Sequence, residues 1–369
     1  MRVQKFYNIE DLPQNYLSLF DDVGRKNFYL SLPWFRNMIR TVRDPGSQTV
    51  IYGVADGNPD GAAHAVFMTV ERASAGTTPR TLSSFANVYS MVYGPVMNAE
   101  RPDGTAVVTA WAKAVAAERP RWHAVRLTAL DPASAVFDHL RQGLRAAGFA
   151  VTAAAEFVNW YEPVEGVSFA DYHASLSGKM RSLLRGRTRI ANRDHAVRFV
   201  LCRGNDGLAE AEAAYAQIYA HSWKQAEPYP GFIPGLIRAA IEMGVLRLGI
   251  LYIDDVPAAA QIWIVSGGKA TIYKIAYDES YKTLSAGSLL TIQIMEALLD
   301  SEPLIEVDFG YGDDRYKKDW LRHRRERWVI DAYNPWTLRG GLRGMIHIGG
   351  RAIKSRLRPA SDSQTVKAG

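Results

Sequence analysis

The chain has 369 residues, of which 47% are hydrophobic and 22% charged, with a formal net charge of +6. These are ordinary values for a globular protein, and the length predicts one large or two medium domains, each with its own core. The single cysteine, Cys202, excludes an internal disulfide and a cysteine-based zinc site. No apolar run is as long as a membrane span and the N-terminus lacks a signal-peptide core, so we expect a reducing, cytoplasmic setting.

The first half is predicted to contain a helix, three strands, a helix, a strand, a helix and a strand, in that order. Strands are predicted where β-branched and aromatic residues are frequent, and helices where apolar residues recur at helical spacing. The segments are Phe28–Val42, Gln48–Ala55, Ala62–Ala73, Arg80–Val96, Thr105–Ala117, Ala124–Ala129, Pro132–Ala147 and Phe149–Tyr161.

The second half is predicted to repeat this order after additional helices. Its segments are Phe169–Ile190, Leu208–Gln225, Phe232–Met243, Val245–Ile253, Val256–Ser266, Ala270–Tyr277, Leu289–Leu299, Leu304–Phe309 and Trp328–Tyr333. The repeat predicts two similar α/β domains, residues 1–164 and 165–335, with the boundary near Pro163–Val167. Residues 336–369 are then a basic amphipathic tail.

The segment after the predicted strand Ala270–Tyr277 has the composition of a ligand-binding turn. Ser285-Ala286-Gly287-Ser288 precedes an apolar helix; serine favours a helix start and glycine lets the backbone approach a ligand. The free N–H groups and the dipole of a helix start attract phosphate. A plain buried strand-helix-strand unit is the alternative. Only the second half is expected to have a glycine at the strand-to-helix junction itself. The first half has Tyr93-Gly94-Pro95-Val96 in the connection, and because proline has no N–H group we expect no donor site in that half.

Four motifs carry a resemblance to a known family: Ala276-Tyr277-Asp278, Ser285-Ala286-Gly287-Ser288-Leu289-Leu290, Asp308-Phe309-Gly310-Tyr311-Gly312 and Tyr316-Lys317-Lys318-Asp319-Trp320. They resemble the GNAT acyltransferase superfamily in its CelD/BioF-like branch, which is related to the Fem aminoacyltransferases. The resemblance implies two tandem GNAT-like domains of the α/β class, with mixed central sheets flanked by helices.

The resemblance also implies acyl-CoA as co-substrate, without a permanently bound cofactor or metal. The donor would contact Lys282, Ser285, Ala286, Gly287 and Ser288. The usual pyrophosphate motif, Arg/Gln-x-x-Gly-x-Gly/Ala, is reduced to one glycine in residues 282–287. Aminoacyl-tRNA, the donor of the Fem relatives, therefore remains the alternative.

Candidate catalytic residues follow from the needs of acyl transfer, which are a deprotonated amine and an acid for the leaving thiolate. Asp308 is a candidate base or orienting group; its alternative is a structural carboxylate paired with Lys317 or Arg315. Tyr316 and Tyr311 are candidate acids or an aromatic lid. Lys317 is a candidate anchor for a phosphate or an acceptor carboxylate.

Further candidates come from the neighbouring segments. His221 is a candidate base, although a structural histidine is the more common case. Trp223, Tyr229, Tyr273, Lys274, Tyr311 and Trp320 are candidate walls of the substrate pocket. Strand alternation places Tyr273 and Lys274 on opposite faces, so we expect at most one of them in a given pocket.

Basic residues are concentrated in two segments. Lys179–Arg203 contains eight basic residues against Asp194 alone, with Arg181, Arg185 and Arg189 at helical spacing, and Trp336–Pro359 contains six and no acid. CoA phosphates, an anionic membrane or tRNA would fit them, and a solvated helix face is an equal alternative for the first.

The sequence as a whole predicts an acyl-CoA-dependent N-acyltransferase acting on an amine acceptor. A lipid or sphingoid base and an envelope polysaccharide precursor are both candidate acceptors. We expect no DNA partner, tRNA only for a Fem-like peptidoglycan ligase, and peripheral contact with the inner face of the cell membrane through the tail. A non-catalytic double-GNAT binding module is the remaining alternative.

Overall fold

The computed structural model describes residues 1–346 except 43, 59–60 and 73–77. The first ten elements are strand β1 (Arg2–Phe6), helices α1 (Gln14–Lys26) and α2 (Leu32–Thr41), strands β2 (Gln48–Ala55), β3 (Ala63–Glu71) and β4 (Thr81–Ser84), helix α3 (Gly104–Ala117), strand β5 (Ala124–Leu130), helix α4 (Ala135–Ala146) and strand β6 (Ala150–Pro163). We call these elements the first repeat. Two connecting helices follow, α5 (Phe169–Ser175) and α6 (Gly178–Asp194).

The second repeat has the same order of elements. They are β7 (Val197–Cys202), α7 (Leu208–Ala220), α8 (Phe232–Glu242), β8 (Leu246–Ile253), β9 (Val256–Ser266), β10 (Lys269–Tyr277), α9 (Ala286–Leu299), β11 (Glu306–Tyr311), α10 (Lys317–Trp320) and β12 (His323–Tyr333). The expected pair of similar α/β units is therefore confirmed as a repeat of ten elements.

All twelve strands belong to one mixed sheet, in the order β1-β2-β3-β4-β5-β12-β6-β11-β10-β9-β8-β7. Within each repeat one neighbouring pair is parallel, β4 with β5 and β10 with β11, and the other neighbours are antiparallel. The last strands are exchanged: β12 lies between β5 and β6, and β6 lies between β12 and β11. The predicted chain boundary at 164/165 stays a prediction, because the sheet itself continues across both repeats.

The core lies on both faces of this sheet. On one face, helices of both repeats pack together around Trp34, Phe232 and Tyr273, whose rings meet at centroid distances of 5.8–6.4 Å. The amide of Asn37 in α2 donates to the carbonyl of Phe232 in α8 at 3.2 Å. The other face is covered by α3 and α4 in the first repeat and by α5, α6 and α9 in the second. This packing fixes the position of α9 against its sheet.

Several sequence-based boundaries need correction. The predicted helix Phe28–Val42 is a short 3-10 turn followed by α2, since Ser31 caps α2 through its hydroxyl at 3.3 Å from the Trp34 N–H. The strand expected somewhere within Arg80–Val96 is short and spans Thr81–Ser84. The predicted helix Phe169–Ile190 is two helices, because the Ser177 hydroxyl starts α6 anew.

Four elements were not predicted at all: β1, α1, β7 and α10. Residues 338–346 form a helix at the start of the predicted tail, and residues 347–369 of that tail lie outside the described residues. In the described part of the chain, none of the helices combines the length and apolarity that crossing a bilayer requires.

Candidate functional site

A cavity opens where the two parallel strands of the second repeat separate. The paired residues of β10 and β11 are Lys269–Thr271 with Glu306–Asp308. Beyond them the strands continue apart, to Tyr277 and Tyr311. The resulting cavity has a volume of about 790 Å³ and lies beside the start of α9. Unpaired backbone along both strands makes this a place where an extended ligand can bind.

A β-bulge in β10 changes which side chains reach the cavity. The register shifts between Ile272 and Lys274, so Tyr273 is an additional residue opposite β9. Tyr273 and Lys274 both line the cavity. The expectation that at most one of them would do so is wrong, because it assumed regular alternation. The Tyr273 hydroxyl donates to the carbonyl of Tyr89, a first-repeat residue, at 2.7 Å.

The start of α9 forms one end of the cavity. Lys282, Ser285, Ala286, Gly287 and Ser288 all line it. Ser285 precedes the helix with a φ of 57°, and a Cβ at Gly287 would lie 3.3 Å from the Tyr277 ring. The Gly287 carbonyl accepts from the Gln261 amide at 3.0 Å, which holds this turn against β9. First-turn N–H groups have no intrahelical acceptor, so this end suits an anion.

The cavity lining is also rich in lysine. Lys224, Lys274 and Lys317 line it together with Asp314. Lys274 donates to Glu227 at 2.6 Å, and Glu227 also accepts from the hydroxyls of Tyr89 and Tyr219 at 2.8 and 2.9 Å. Burial opposes ionisation of Glu227, but these hydrogen bonds outweigh it and lower the pKa of Glu227. Glu227 thus holds Lys274 as a carboxylate.

Lys317 is buried with its ammonium group directed at the loop after β11. It donates to the carbonyls of Tyr311 and Gly312 at 2.6 and 3.3 Å and lies 3.4 Å from a carboxylate oxygen of Asp314. Burial lowers the pKa of Lys317, and Asp314 opposes this effect. Lys317 therefore shapes the loop in addition to lining the cavity.

Aromatic side chains surround the mouth. The Trp223 ring lies 4.4 Å from that of Tyr277, and Tyr316 lies 6.3 Å from Phe309. Burial of the Tyr316 hydroxyl, together with the negative charge of Asp314, raises the pKa of Tyr316. Large apolar or aromatic side chains that remain exposed at the mouth are Val88, Leu183, Trp223, Tyr311 and Tyr316. The predicted wall residue Trp320 also lines the cavity but is buried.

Asp308 does not line this cavity. One carboxylate oxygen accepts from the Asn159 amide and the Gly310 N–H, both at 2.6 Å, and the other is paired with Arg325. Arg325 also forms two hydrogen bonds to Glu306, at 2.7 and 2.8 Å. The expected partners Lys317 and Arg315 are thus replaced by Arg325. The surroundings of Asp308 match the structural alternative, since a base needs access to the reacting proton.

Two further candidates also lie elsewhere. His221 is exposed at the end of α7, with its Nδ1 2.9 Å from the Gln217 carbonyl, and does not line the cavity. Tyr229 is also outside the lining, and its hydroxyl contacts the Asp44 carboxylate. The structure therefore separates both residues from the place where their roles were expected.

Sequence reasoning missed several residues at the cavity. Val88, Tyr89 and Met91 come from the loop after β4 of the first repeat. No local pattern marks them, because their position depends on contact between the repeats. Lys224 adjoins the predicted wall residue Trp223, and this adjacency was the available signal.

In the first repeat, the space in front of the corresponding helix start is filled by a side chain. Helix α3 begins at Gly104, where a Cβ would lie 2.4 Å from the His139 ring. The expectation that only the second half has a glycine at this junction is wrong. A second cavity of about 650 Å³ lies beside the end of β5; its lining includes Tyr93, Leu130 and Phe137. It is bounded by α1 and α4 and does not include the start of α3.

The sequence of the second repeat matches a known family. Residues 178–318 match the family described as Acetyltransferase (GNAT) domain. Residues 178–318, which run from α6 into α10, are therefore GNAT-related. No curated protein sequence matches it significantly.

Several solved structures have a similar fold. FemX superposes with a TM-score of 0.60 at 11% identity, covering 93% of this chain and 99% of FemX. A C-terminal domain described as that of a lysylphosphatidylglycerol synthetase from Agrobacterium fabrum gives 0.55 at 13%, covering 91% and 96%. A Bacteroides thetaiotaomicron protein of unassigned function gives 0.54 at 13%, covering 86% and 97%. At these identities the likeness concerns the fold.

Proposed function

We propose that this protein is an acyl-CoA-dependent N-acyltransferase whose donor occupies the cavity between β10 and β11. The observation that carries the proposal is the coincidence of the parted strands with the start of α9 in one cavity, within the residues that match the GNAT domain. Lys282 and the backbone of Ser285–Ser288 bind the pyrophosphate. The unpaired edges of β10 and β11 bind the amide-containing arm of CoA.

The reaction proceeds by direct attack in a ternary complex. A neutral amine attacks the thioester carbonyl; a C–N bond forms, the C–S bond breaks, and the amine proton passes to water at the mouth. Tyr316 gives its proton to the leaving thiolate. The phenol is protonated at neutral pH, as an acid must be before it acts; its raised pKa makes it a weaker proton donor than an ordinary tyrosine. Lys317 positions Tyr311 and the following loop over the reacting groups.

The acceptor side of the proposal rests on the mouth of the cavity. Five exposed apolar or aromatic side chains, named above, surround it. This surface supports an acceptor or acyl group with an apolar portion, such as a lipid or sphingoid base, over a fully polar envelope precursor.

Membrane contact through the tail, residues 336–369, is a separate part of the proposal. The helix at 338–346 exposes Leu338, Leu342, Met345 and Ile346, as a helix lying on a bilayer does. Deleting 336–369 should abolish co-sedimentation with anionic vesicles at low salt. Equal sedimentation of the full-length and shortened proteins would exclude this contact.

A Fem-like ligase that takes aminoacyl groups from tRNA is the second candidate. Two observations favour it: the superposition on FemX and the single glycine in residues 282–287. A double-GNAT module that binds a ligand without catalysis is the third.

A ligand-stability experiment separates these candidates. Melting temperatures would be measured with acetyl-CoA, a long-chain acyl-CoA, free CoA and aminoacyl-tRNA, because a ligand that binds only the folded state raises the melting temperature. We expect stabilisation by the CoA species and none by tRNA. Stabilisation by aminoacyl-tRNA alone would establish the Fem-like candidate instead. CoA binding without transfer to any of a panel of amines would support the binding module.

A further inference from the structure

Three lysines face the inner part of the cavity, and only two of them have partners of opposite charge in the described residues. Lys274 is paired with Glu227 at 2.6 Å and Lys317 with Asp314 at 3.4 Å. The ammonium group of Lys224 makes no hydrogen bond or ion pair with the residues that the structure describes. Its nearest aromatic neighbour is the Trp223 ring, whose centroid lies 5.5 Å away. Lys224 is therefore the unpaired cation of this group.

The charges of the group leave one positive charge uncompensated. Three ammonium groups (Lys224, Lys274 and Lys317) face two carboxylates (Glu227 and Asp314), so the difference is +1. Lys282 and Asp319 also line the cavity, but their charges cancel, so the difference remains +1. A partly buried excess charge is unfavourable unless a ligand brings the opposite charge.

The surroundings of Lys224 disfavour its positive charge, as expected for an anion site without its anion. Burial lowers the pKa of Lys224, and the positive charge of Lys274 adds to this effect; Glu227 and Asp314 oppose it. Lysine is a compact point charge with three donors, which suits a carboxylate or phosphate oxygen. The residual charge of one fits a monoanion better than a phosphate dianion.

We propose that Lys224 binds a carboxylate of the acceptor, so that the substrate is an amine that carries a carboxylate group. This narrows the apolar acceptors named above to those with a carboxylate and excludes a simple sphingoid base. This inference rests on the proposed acyl transfer, because that reaction is what makes the bound amine an acceptor. The anion site itself does not depend on the reaction. The donor phosphates have a separate place at Lys282 and the start of α9. Trp223 lies beside Lys224 and reports on its occupancy.

The test compares two amines of similar length that differ in the carboxylate, 6-aminohexanoate and hexylamine. Binding would be followed by Trp223 fluorescence in the full chain, with Trp223→Phe as the blank for the other tryptophans. The variants are Lys224→Met, which keeps the length of the side chain, and Lys224→Arg, which keeps the charge. Lys282→Met is the matched control, because it removes another lysine that lines the same cavity.

The proposal predicts that the protein binds 6-aminohexanoate at least about tenfold more tightly than hexylamine, the range expected for a hydrogen bond to a charged group. Lys224→Met should abolish this preference, whereas Lys224→Arg and Lys282→Met should retain it. Lys224→Met should melt no lower than the parent protein, since it removes an uncompensated charge.

Three results would overturn the proposal. The first is that Lys224→Met and the parent protein show the same preference for 6-aminohexanoate over hexylamine. Another is a loss of CoA affinity in Lys224→Met with the amine preference intact, which would assign Lys224 to the donor. The last is a fall in kcat in both Lys224→Met and Lys224→Arg without a change in KM or preference, which would make Lys224 a base. Absence of CoA binding in every variant would remove the proposed function alone, because the anion preference is measured without a donor.

Discussion

The two repeats differ most at the place where the fourth strand of each repeat leads to its helix. Both helices have a glycine in their first turn, Gly104 in α3 and Gly287 in α9. At Gly104 the space for a Cβ is taken by the His139 ring, 2.4 Å away, whereas at Gly287 the nearest atom is 3.3 Å away and the cavity lies beside it. A glycine at a helix start is therefore insufficient for a site; the space in front of it must also be free.

The strands before these helices show the same difference. In the first repeat the chain returns to β5 after β4, and the Tyr93 N–H donates to the Ala129 carbonyl at 2.8 Å. This bridge closes the gap between the parallel strands. In the second repeat the pairing of β10 with β11 ends at Thr271 and Asp308, and the bulge at Tyr273 turns the strand away. One repeat thus completes its sheet where the other keeps a cleft.

The largest expected effect concerns the ion pairs that join β12 to the two repeats. Asp308 is paired with Arg325 and Asp131 with Arg327, but their side chains are 9% and 29% exposed. Asp308→Asn removes the charge-assisted hydrogen bond to Arg325, which keeps its other partner Glu306, and should lower the free energy of unfolding by about 3 kcal/mol. Asp131→Asn should cost about 1 kcal/mol, because water reaches that pair. Urea unfolding of both variants measures the difference.

The rate in the same samples tests the role of Asp308. We expect the folded fraction of Asp308→Asn to transfer acyl groups at the parent rate. A normal melting temperature with a kcat reduced tenfold or more would instead return Asp308 to the role of base.

The next effect concerns the open helix start. Gly287→Trp places an indole where the donor backbone contacts are proposed, and should weaken CoA binding at least about 100-fold, or roughly 2.7 kcal/mol. Gly287→Ala is the matched control and should bind CoA nearly normally. Calorimetry on both variants gives the affinities. Unchanged CoA affinity in a folded Gly287→Trp protein would move the donor away from α9.

Tyr316→Phe should lower kcat by at least about tenfold, since it removes the proposed proton donor, and should leave CoA affinity unchanged. Tyr281→Phe is a suitable comparison, because Tyr281 lies outside the cavity lining. Single-turnover rates at saturating acyl-CoA separate chemistry from binding. A Tyr316→Phe enzyme with the parent rate would leave the thiolate to be protonated by water.

The smallest effect compares the two glycines directly. Gly104→Ala forces its methyl group onto His139 and should lower the free energy of unfolding by about 1 kcal/mol. Gly287→Ala should change it by less than about 0.5 kcal/mol, because the Tyr277 ring has room to yield. Thermal unfolding of the Gly104→Ala and Gly287→Ala variants measures this difference. Equal losses would mean that the first-repeat junction is no tighter than the second.

Local patterns predicted much of the second repeat. The apolar run Leu289–Leu299 lies within α9, and Val256–Ser266 is β9 as predicted. The bulge at Tyr273 was missed because a period of two residues contains no information about an inserted one. The helix break at Ser177 was missed because apolar spacing continues across it, whereas the serine hydroxyl restarts the helix.

Other features depend on distant parts of the chain. The Asp308–Arg325 pair, the entry of Val88 and Met91 into the cavity and the exchange of β6 and β12 all join segments far apart in sequence. Such contacts leave no local periodicity. For the same reason His221 and Tyr229 were plausible from their neighbours in sequence but lie away from the cavity.

The exchanged strands also set an order of events during synthesis. Strand β5 is translated early, yet one of its two neighbours is β12, whose residue Tyr333 pairs with Ala124. Until the ribosome has made β12, the first repeat has an open edge between β5 and β6 that other chains can join. Pairing over so long a separation is slow. The nascent chain is therefore exposed to aggregation until its last strand emerges, and a chaperone that covers this edge would raise the yield of native protein.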